Sequence, residues 1–386
     1  MFVAWRELRH ARGRFLLIGA VVALITLLVG FLSGLTGGLA AQNISAVLQI
    51  PSDRIVLQQP SEGSPSYATS EISASVERSW QDAAGVENVT AIGIVQSRAA
   101  AGAASEAPAK PSSNAPEVAS AKVDSAPAPA SEATGVALFG MPADALDNDL
   151  GAIVPTADDE VGLSKGAADD LGVTTGDTIN ITGTNFTVAT VGEDLWYSHT
   201  PVIALTESAW QEASIRVGGS GNPTLLAVSG DADYDAIAAD TDTSAQAPLA
   251  SLTALEAFKS EIGSLGLMIA LLFGISALVV GAFFTVWTMQ RAGDIAVLKA
   301  LGASTSSLIK DALGQALIVL IAGIGVGLAA VVGFGALAGQ ALPFELSPLT
   351  TLLPAGIMAV LGLGGAAVAL RSVTKADPLT ALGSNR

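Results

Sequence analysis

Four long apolar runs, Phe15–Leu35, Ile262–Trp287, Ala312–Ala338 and Leu349–Leu370, punctuate a chain that elsewhere mixes short apolar stretches with polar positions. A helix needs roughly 20 apolar residues to cross the hydrocarbon of a bilayer. The runs therefore predict transmembrane helices over residues 15–36, 261–288, 312–338 and 349–370. No run contains Asp, Glu, Lys or Arg, which argues against a proton pump or ion channel with ionisable groups in its path. The first run shares the outline of a signal peptide: an Arg-rich flank, an apolar stretch and the small residues of GGLAAQ. Its length exceeds the roughly 7–15 residues of a signal-peptide apolar region, so an uncleaved span is expected.

Residues 37–260 read differently. Short apolar stretches such as Arg54–Leu57 and Val89–Val95, with a helical pattern over Ser70–Ala84 between them, predict a mixed α+β domain. From Arg98 to Thr134 the chain is almost entirely Ala, Ser, Pro and Glu with no aromatic residue. Such a stretch buries too little to order itself and predicts a disordered insertion over 98–134. Order is expected to return with a buried strand at Gly135–Gly140. A helix then leads to a turn at Gly176-Asp177, and a hairpin joins strands Thr178–Thr182 and Asn185–Val191 at Gly183-Thr184. Trp196, Tyr197 and His199 fall on the following loop; Leu225–Val228 reads as a strand and Tyr234–Ala239 as a helix. A helical pattern over Leu252–Lys259 runs almost directly into the second span. The predicted fold class is a membrane protein with four transmembrane α-helices and a large extracellular α+β domain inserted between helices one and two.

Charge sets the expected orientation. The chain carries a net charge of −17, unevenly distributed. Basic residues collect in the N-terminal segment 1–14 (Arg6, Arg9, Arg12, Arg14), the connector 289–311 (Arg291, Lys299, Lys310) and the tail 371–386 (Arg371, Lys375, Arg386). The stretch from Thr36 to Glu261 holds 8 basic and 30 acidic residues. By the positive-inside rule both termini and the connector are cytoplasmic, and the acidic domain and loop 339–348 are outside. An acidic chain lacks the basic footprint of a nucleic-acid binder. With no cysteine and only His10 and His199, disulfides, thiol catalysis and a multi-His metal site are excluded within one chain. There is no GxxxxGK[ST] loop and no nucleophile elbow near His199, so no catalytic residues and no ATPase activity are assigned.

The connector from Trp287 to Gly314 links two spans and places Ile295, Leu298 and Leu301 around the charged Asp294 and Lys299. That spacing suits a short amphipathic helix at the membrane surface, or a solvated loop ending at Gly302. Gly30 and Gly34 stand one turn apart, the small-xxx-small arrangement that lets two helix backbones touch. The spacing leaves open whether they pack within the chain or across a homodimer.

The layout of one span, a large outer domain and three further spans, with RAGDIAVLKALGAS at the connector and VTKADPLTAL in the tail, resembles the FtsX-like permease family that includes the MacB-type ABC transporters. Within it, VGLSKGAADDLGVTTGDTI and DLWYSHTPVIAL resemble the haem-efflux permeases of the HrtB type. The resemblance implies a multi-pass protein of the bacterial cell membrane. It implies a homodimer joined to two copies of an ATP-binding cassette ATPase subunit, which would hold the ATP and contact Arg291, Asp294, Ile295, Leu298, Lys299 and Leu301. Haem would be the transported substrate, not a permanent cofactor, and its iron the only metal. It would enter from the outer leaflet near Phe31, Leu35, Glu256, Phe258, Glu261 and Met268. Glu261 and Met268, two helical turns apart, share a face on which a carboxylate and a thioether approach iron. Each of these is also an ordinary residue of a helix end or packed surface. Tyr197 and His199 form a second, weaker constellation. A lipoprotein- or drug-exporting permease has the same architecture, as does a transmitter that activates a cell-wall hydrolase without transport.

Overall fold

The computed structural model describes residues 12–102, 133–290 and 304–374, with Gly293, Val297 and Gly302. It divides into an outer unit, Ala40–Ser260, and a membrane unit, Met1–Leu39 with Glu261–Arg386.

The outer unit is built on β1 (Arg54–Gln58), β2 (Val86–Ala101), β3 (Thr134–Gly140), β4 (Glu160–Leu163), β5 (Thr178–Ile181), β6 (Thr184–Val191), β7 (Trp196–Tyr197), β8 (Thr200–Leu205), β9 (Leu225–Gly230) and β10 (Thr243–Gln246). The strands run β10-β1-β9-β2-β3-β8-β4-β6-β5, and β5 pairs back to β2. Six strands, β2, β3, β8, β4, β6 and β5, thereby close a barrel, and β9, β1 and β10 continue from the first half of β2 as an antiparallel sheet. Closure leaves that half of the unit without a free edge to pair with other chains. Two pairings in the barrel are parallel, β3 with β8 and β4 with β6.

Ordinary local rules position the helices around these strands. Helix α2 (Ala74–Gln81) begins at Ser73, whose side chain accepts from Val76 N, so it is shorter than the expected 70–84. Helix α3 (Lys165–Leu171) begins at Ser164, whose buried Oγ accepts from both Ala167 N and Val202 N. It ends at Gly172 in the left-handed region (φ 65°), the conformation glycine adopts without steric cost. Helix α4 (Glu207–Arg216) lays Trp210 against Gly93 of β2 and Gly140 of β3. A Cβ built at either glycine would come within 2.4 and 2.2 Å of the indole side chain. Helix α5 (Tyr234–Asp240) and α2 cover a separate small core around Trp80, Ile72 and Leu226. The barrel core holds Leu138, Leu163, Ile179, Phe186 and Ile203, with Trp210 among them.

Four differences from the sequence expectations stand out. Arg98–Ala101 is not disordered: it is the end of β2, with Ala99 and Ala100 opposite Ile181 and Asn180 of β5. Pairing to a barrel strand orders a segment whose composition alone would not; residues 103–132 of the expected insertion lie outside the described residues. The β5–β6 hairpin turns at Thr182-Gly183, one residue earlier than expected, both with positive φ as a two-residue primed turn requires. Trp196 and Tyr197 form a strand, paired with Pro201 and Thr200, where a loop was expected. The pattern over Leu252–Lys259 is not one helix. A turn of helix, α6 (Pro248–Ser251), passes into a 3₁₀ turn, Leu255 is extended, and the next helix starts at Glu256.

The membrane unit contains most of α1 (Arg12–Leu48) and α7 (Glu256–Gln290), and all of α8 (Thr305–Ala338) and α9 (Pro348–Thr374). Each includes a stretch long and apolar enough to cross a bilayer. Helix α1 continues well past residue 36, since nothing before Pro51 breaks it and Asn43, Ala46 and Val47 are buried.

Small residues set the helix contacts. Cβ atoms at Gly323 and Gly327 of α8 would meet Val22 and Thr26 of α1 at 2.8 and 2.6 Å, and Gly365 of α9 lies against Gly281 of α7. Close backbone approach through small residues is how apolar helices gain packing where lipid removes the hydrophobic drive. Gly30 and Gly34 take part within the chain: Gly30 faces Val331, and Gly34 faces the ring of Phe344 in the α8–α9 loop. The outward faces carry exposed Leu24, Leu28, Leu271, Leu278 and Val360.

Candidate functional site

Tyr197 and His199 are held by a hairpin turn. Ser198 and His199 both have positive φ (47° and 62°), an unusual pair without glycine, which makes a primed two-residue turn between β7 and β8. The end of α1 clamps it: Ser198 N donates to Asn43 O at 3.0 Å and His199 N to Gln42 O at 2.9 Å. Asn43 Nδ2 lies 2.9 Å from His199 Nε2, and Ser45 Oγ accepts from Trp196 N at 2.8 Å. His199 is thus engaged by the adjoining helix through both backbone and ring. Its ring nitrogen at Asn43 accounts for the residue without a metal, which favours local packing.

Tyr197 points the other way. Its ring is buried, edge-on to Phe139 and Tyr67 at centroid distances of 5.7 and 6.4 Å. The Tyr67 hydroxyl lies 2.9 Å from Ser251 Oγ, which donates to Pro248 O. Burial pushes the Tyr67 phenol up to about 12 against the pull of the Ser251 hydrogen bond. Burial, with Tyr67 adding to it, raises Tyr197 as well. Both phenols stay neutral donors through the physiological range. Tyr67 sits in a Ser/Pro-rich stretch with no periodic pattern, so nothing in the sequence pairs it with Tyr197.

The haem candidates fall in both units. In the outer unit, Phe258 packs on the core around Tyr67 and Phe139, and Glu256, exposed, opens α7. In the membrane unit, Glu261 is half-buried and Met268 is 46% exposed. Leu35 is half-buried, and Phe31 rests against Phe344 with centroids 4.9 Å apart. Neither Phe344 nor the way its loop grips α1 has a signal in the sequence. Glu345 N donates to Gly34 O at 3.0 Å, and a Cβ at Gly38 would stand 2.1 Å from Pro343 O. No cluster of three or more His, Asp or Glu that would hold a metal ion occurs among the described residues. The six ATPase-contact candidates, Arg291, Asp294, Ile295, Leu298, Lys299 and Leu301, lie outside the described residues.

Comparison with known proteins bears on this arrangement. Residues 266–378 match the family described as FtsX-like permease C-terminal. A protein of Staphylococcus haemolyticus (strain JCSC1435), named as hemin transport system permease protein HrtB, is 25% identical over 99% of both chains. Its namesake in Staphylococcus epidermidis (strain ATCC 12228) is 26% identical over 100% of both. Among solved structures, the periplasmic region of MacB from Actinobacillus actinomycetemcomitans aligns with 55% of this chain and 94% of its own. The identity there is 10% and the TM-score 0.32. The family match covers the last three apolar helices, and the end-to-end similarity is to proteins named as transport permeases.

Proposed function

We propose that this permease exports haem, taken from the outer leaflet, as the membrane subunit of a pump driven by a separate ATP-binding cassette ATPase. The supporting observation is its similarity, over the full length of both chains, to permeases named for hemin transport. In this reading Glu261 and Met268 of α7 approach the iron, and Phe31 and Leu35 of α1 offer apolar contact to the porphyrin. A carboxylate and a thioether make a weak ligand pair, suited to a protein that has to release its cargo. Two copies of the chain assemble with two ATPase subunits, both termini inside the cell. The connector residues Arg291, Asp294, Ile295, Leu298, Lys299 and Leu301 receive the motion of ATP closure.

The test is a haemin titration of the purified full chain, followed in the Soret band. A saturable shift is expected, lost in Met268→Ala and Glu261→Gln variants. A chain that gives no spectral change with haemin is not a haem exporter, and the non-transporting transmitter then becomes the better reading.

A further inference from the structure

Along one edge β2 changes partners, pairing with β9 as far as Ile92 and with β5 from Ala99 onward. Between the two, the Thr224 hydroxyl holds Ile94 by both its N–H and its carbonyl. A pocket of about 540 Å³ opens at the residues that follow. It is lined by residues 96–100 of β2, the β5–β6 turn, Ala133 and Val217. None of the haem candidates lines it, and its volume falls in the range of sites for small organic ligands.

Three observations give the pocket chemical direction. Ser97 Oγ and Thr182 Oγ1, on two of its lining residues, are buried without a hydrogen-bond partner among the described residues. Ser97 lies on the same face of β2 as Val95 and Ala99, which pack on the barrel core, so its neighbours on that face are apolar. A buried hydroxyl without a partner is costly, and a ligand acceptor atom, met by rotation of the hydroxyl, removes that cost. The only charged side chain of the lining is Arg98, which is exposed and makes no ion pair among the described residues. The nearby Arg216, by contrast, is already engaged by Glu212 and Thr184. Finally, no Asp or Glu lines the pocket, although acidic residues outnumber basic ones 30 to 8 between Thr36 and Glu261. A free guanidinium beside two free hydroxyls selects an oxyanion.

We propose that this pocket binds a small organic carboxylate. Arg98 supplies the charge, the hydroxyls of Ser97 and Thr182 donate to the carboxylate oxygens, and the apolar body lies against Val217 and Ala133. The site belongs to the outer unit alone and stands whether or not the chain carries haem.

The experiment uses the purified full chain in detergent, with empty micelles as the blank, and phenylacetate as the probe, followed by saturation-transfer NMR. Its counterpart is phenylacetamide, which keeps the ring and lacks the charge. Saturable binding of phenylacetate is expected, and weaker binding of the amide. Arg98→Gln is expected to weaken phenylacetate binding by about tenfold and Ser97→Ala by about threefold. Ser97→Ala also has a readout that a structural hydroxyl would fail: without ligand its urea midpoint is expected to be unchanged or higher, because the group removed had no partner. Ala133 is exposed, so Ala133→Phe narrows the pocket without entering the core and is expected to reduce binding. The proposal is overturned if phenylacetate does not saturate, if the amide binds as tightly, or if Ser97→Ala unfolds at lower urea. It is also overturned if binding appears only once residues 103–132 are replaced by a short Gly-Ser linker, since the chain itself is then the occupant. Haemin titration of Arg98→Gln separates the two readings: an unchanged Soret response is expected, and a lost one would make the haem propionates the occupant and overturn the proposal.

Discussion

The two units solve the packing problem in opposite ways. In the membrane unit the helices come together where side chains are missing: Gly323, Gly327 and Gly38 sit where any Cβ would strike a neighbour. In the outer unit the cores are filled by large groups, Trp80, Phe139 and Trp210 among them, and the chain is pinned by side-chain hydrogen bonds such as those to Ser164 Oγ. The difference follows from solvent. Water drives large apolar groups inward in the outer unit. Lipid gives no such drive, so close backbone contact has to hold the spans. The outer unit should therefore be sensitive to losing atoms from its cores, even though Gly93 and Gly140 there are closed to a side chain too, and the spans should be sensitive to gaining atoms at their glycine contacts.

The largest effect is expected from Trp210→Ala, which empties the space over Gly93 and Gly140. A loss of about 3–5 kcal/mol is expected, seen as a lower midpoint of urea unfolding followed by outer-unit fluorescence. A tolerated Trp210→Ala would break the contrast from the outer side. Next comes the opposite change, Gly38→Ala. One added methyl meets the Pro343 carbonyl and should cost the membrane unit about 1–3 kcal/mol. The measurement is thermal aggregation in detergent, with Gly325→Ala, where a Cβ meets nothing within 4 Å, as the neutral control. Equal behaviour of the two variants would mean that the helices do not rely on these contacts.

Smaller again is Ser164→Ala, which strips the cap of α3 and leaves Val202 N with the Leu195 carbonyl as its one acceptor. A loss of about 1–2 kcal/mol is expected in the same urea experiment. The least is a pH effect. The Tyr67 phenol ionises near 12 in the folded chain, against about 10 when unfolded. Above about pH 10 the unfolded chain gives up that proton first. The stabilisation is therefore complete below pH 10 and is lost as pH rises towards 12. Tyr67→Phe should flatten that decline in the urea midpoint.

Much of this architecture was legible in the sequence because its causes are local. Four apolar runs free of charge dictate the spans, and the helix ahead of the Gly176-Asp177 turn, with the hairpin after it, follows from local pattern alone. What was not legible depends on partners distant in the chain. Arg98–Ala101 looks like the start of a disordered tract and becomes strand only because β5 lies beside it. Trp196 and Tyr197 look like loop until β8 pairs with them and Ser45 fixes their backbone. The site was legible only in part for the same reason. The spacing of Glu261 and Met268 is a property of one helix, whereas the grip of Phe344 on α1 and the meeting of Tyr67 with Tyr197 require the tertiary fold.

Reconstitution offers the most direct test of haem export. The chain, with a candidate ATP-binding cassette subunit added, would be placed in vesicles whose outer leaflet carries haem, and haem release to an acceptor protein outside would be recorded. ATP-dependent release is expected, abolished together in Met268→Ala and Glu261→Gln. Release of equal rate without the ATPase, or none in its presence with ATP, would contradict the account.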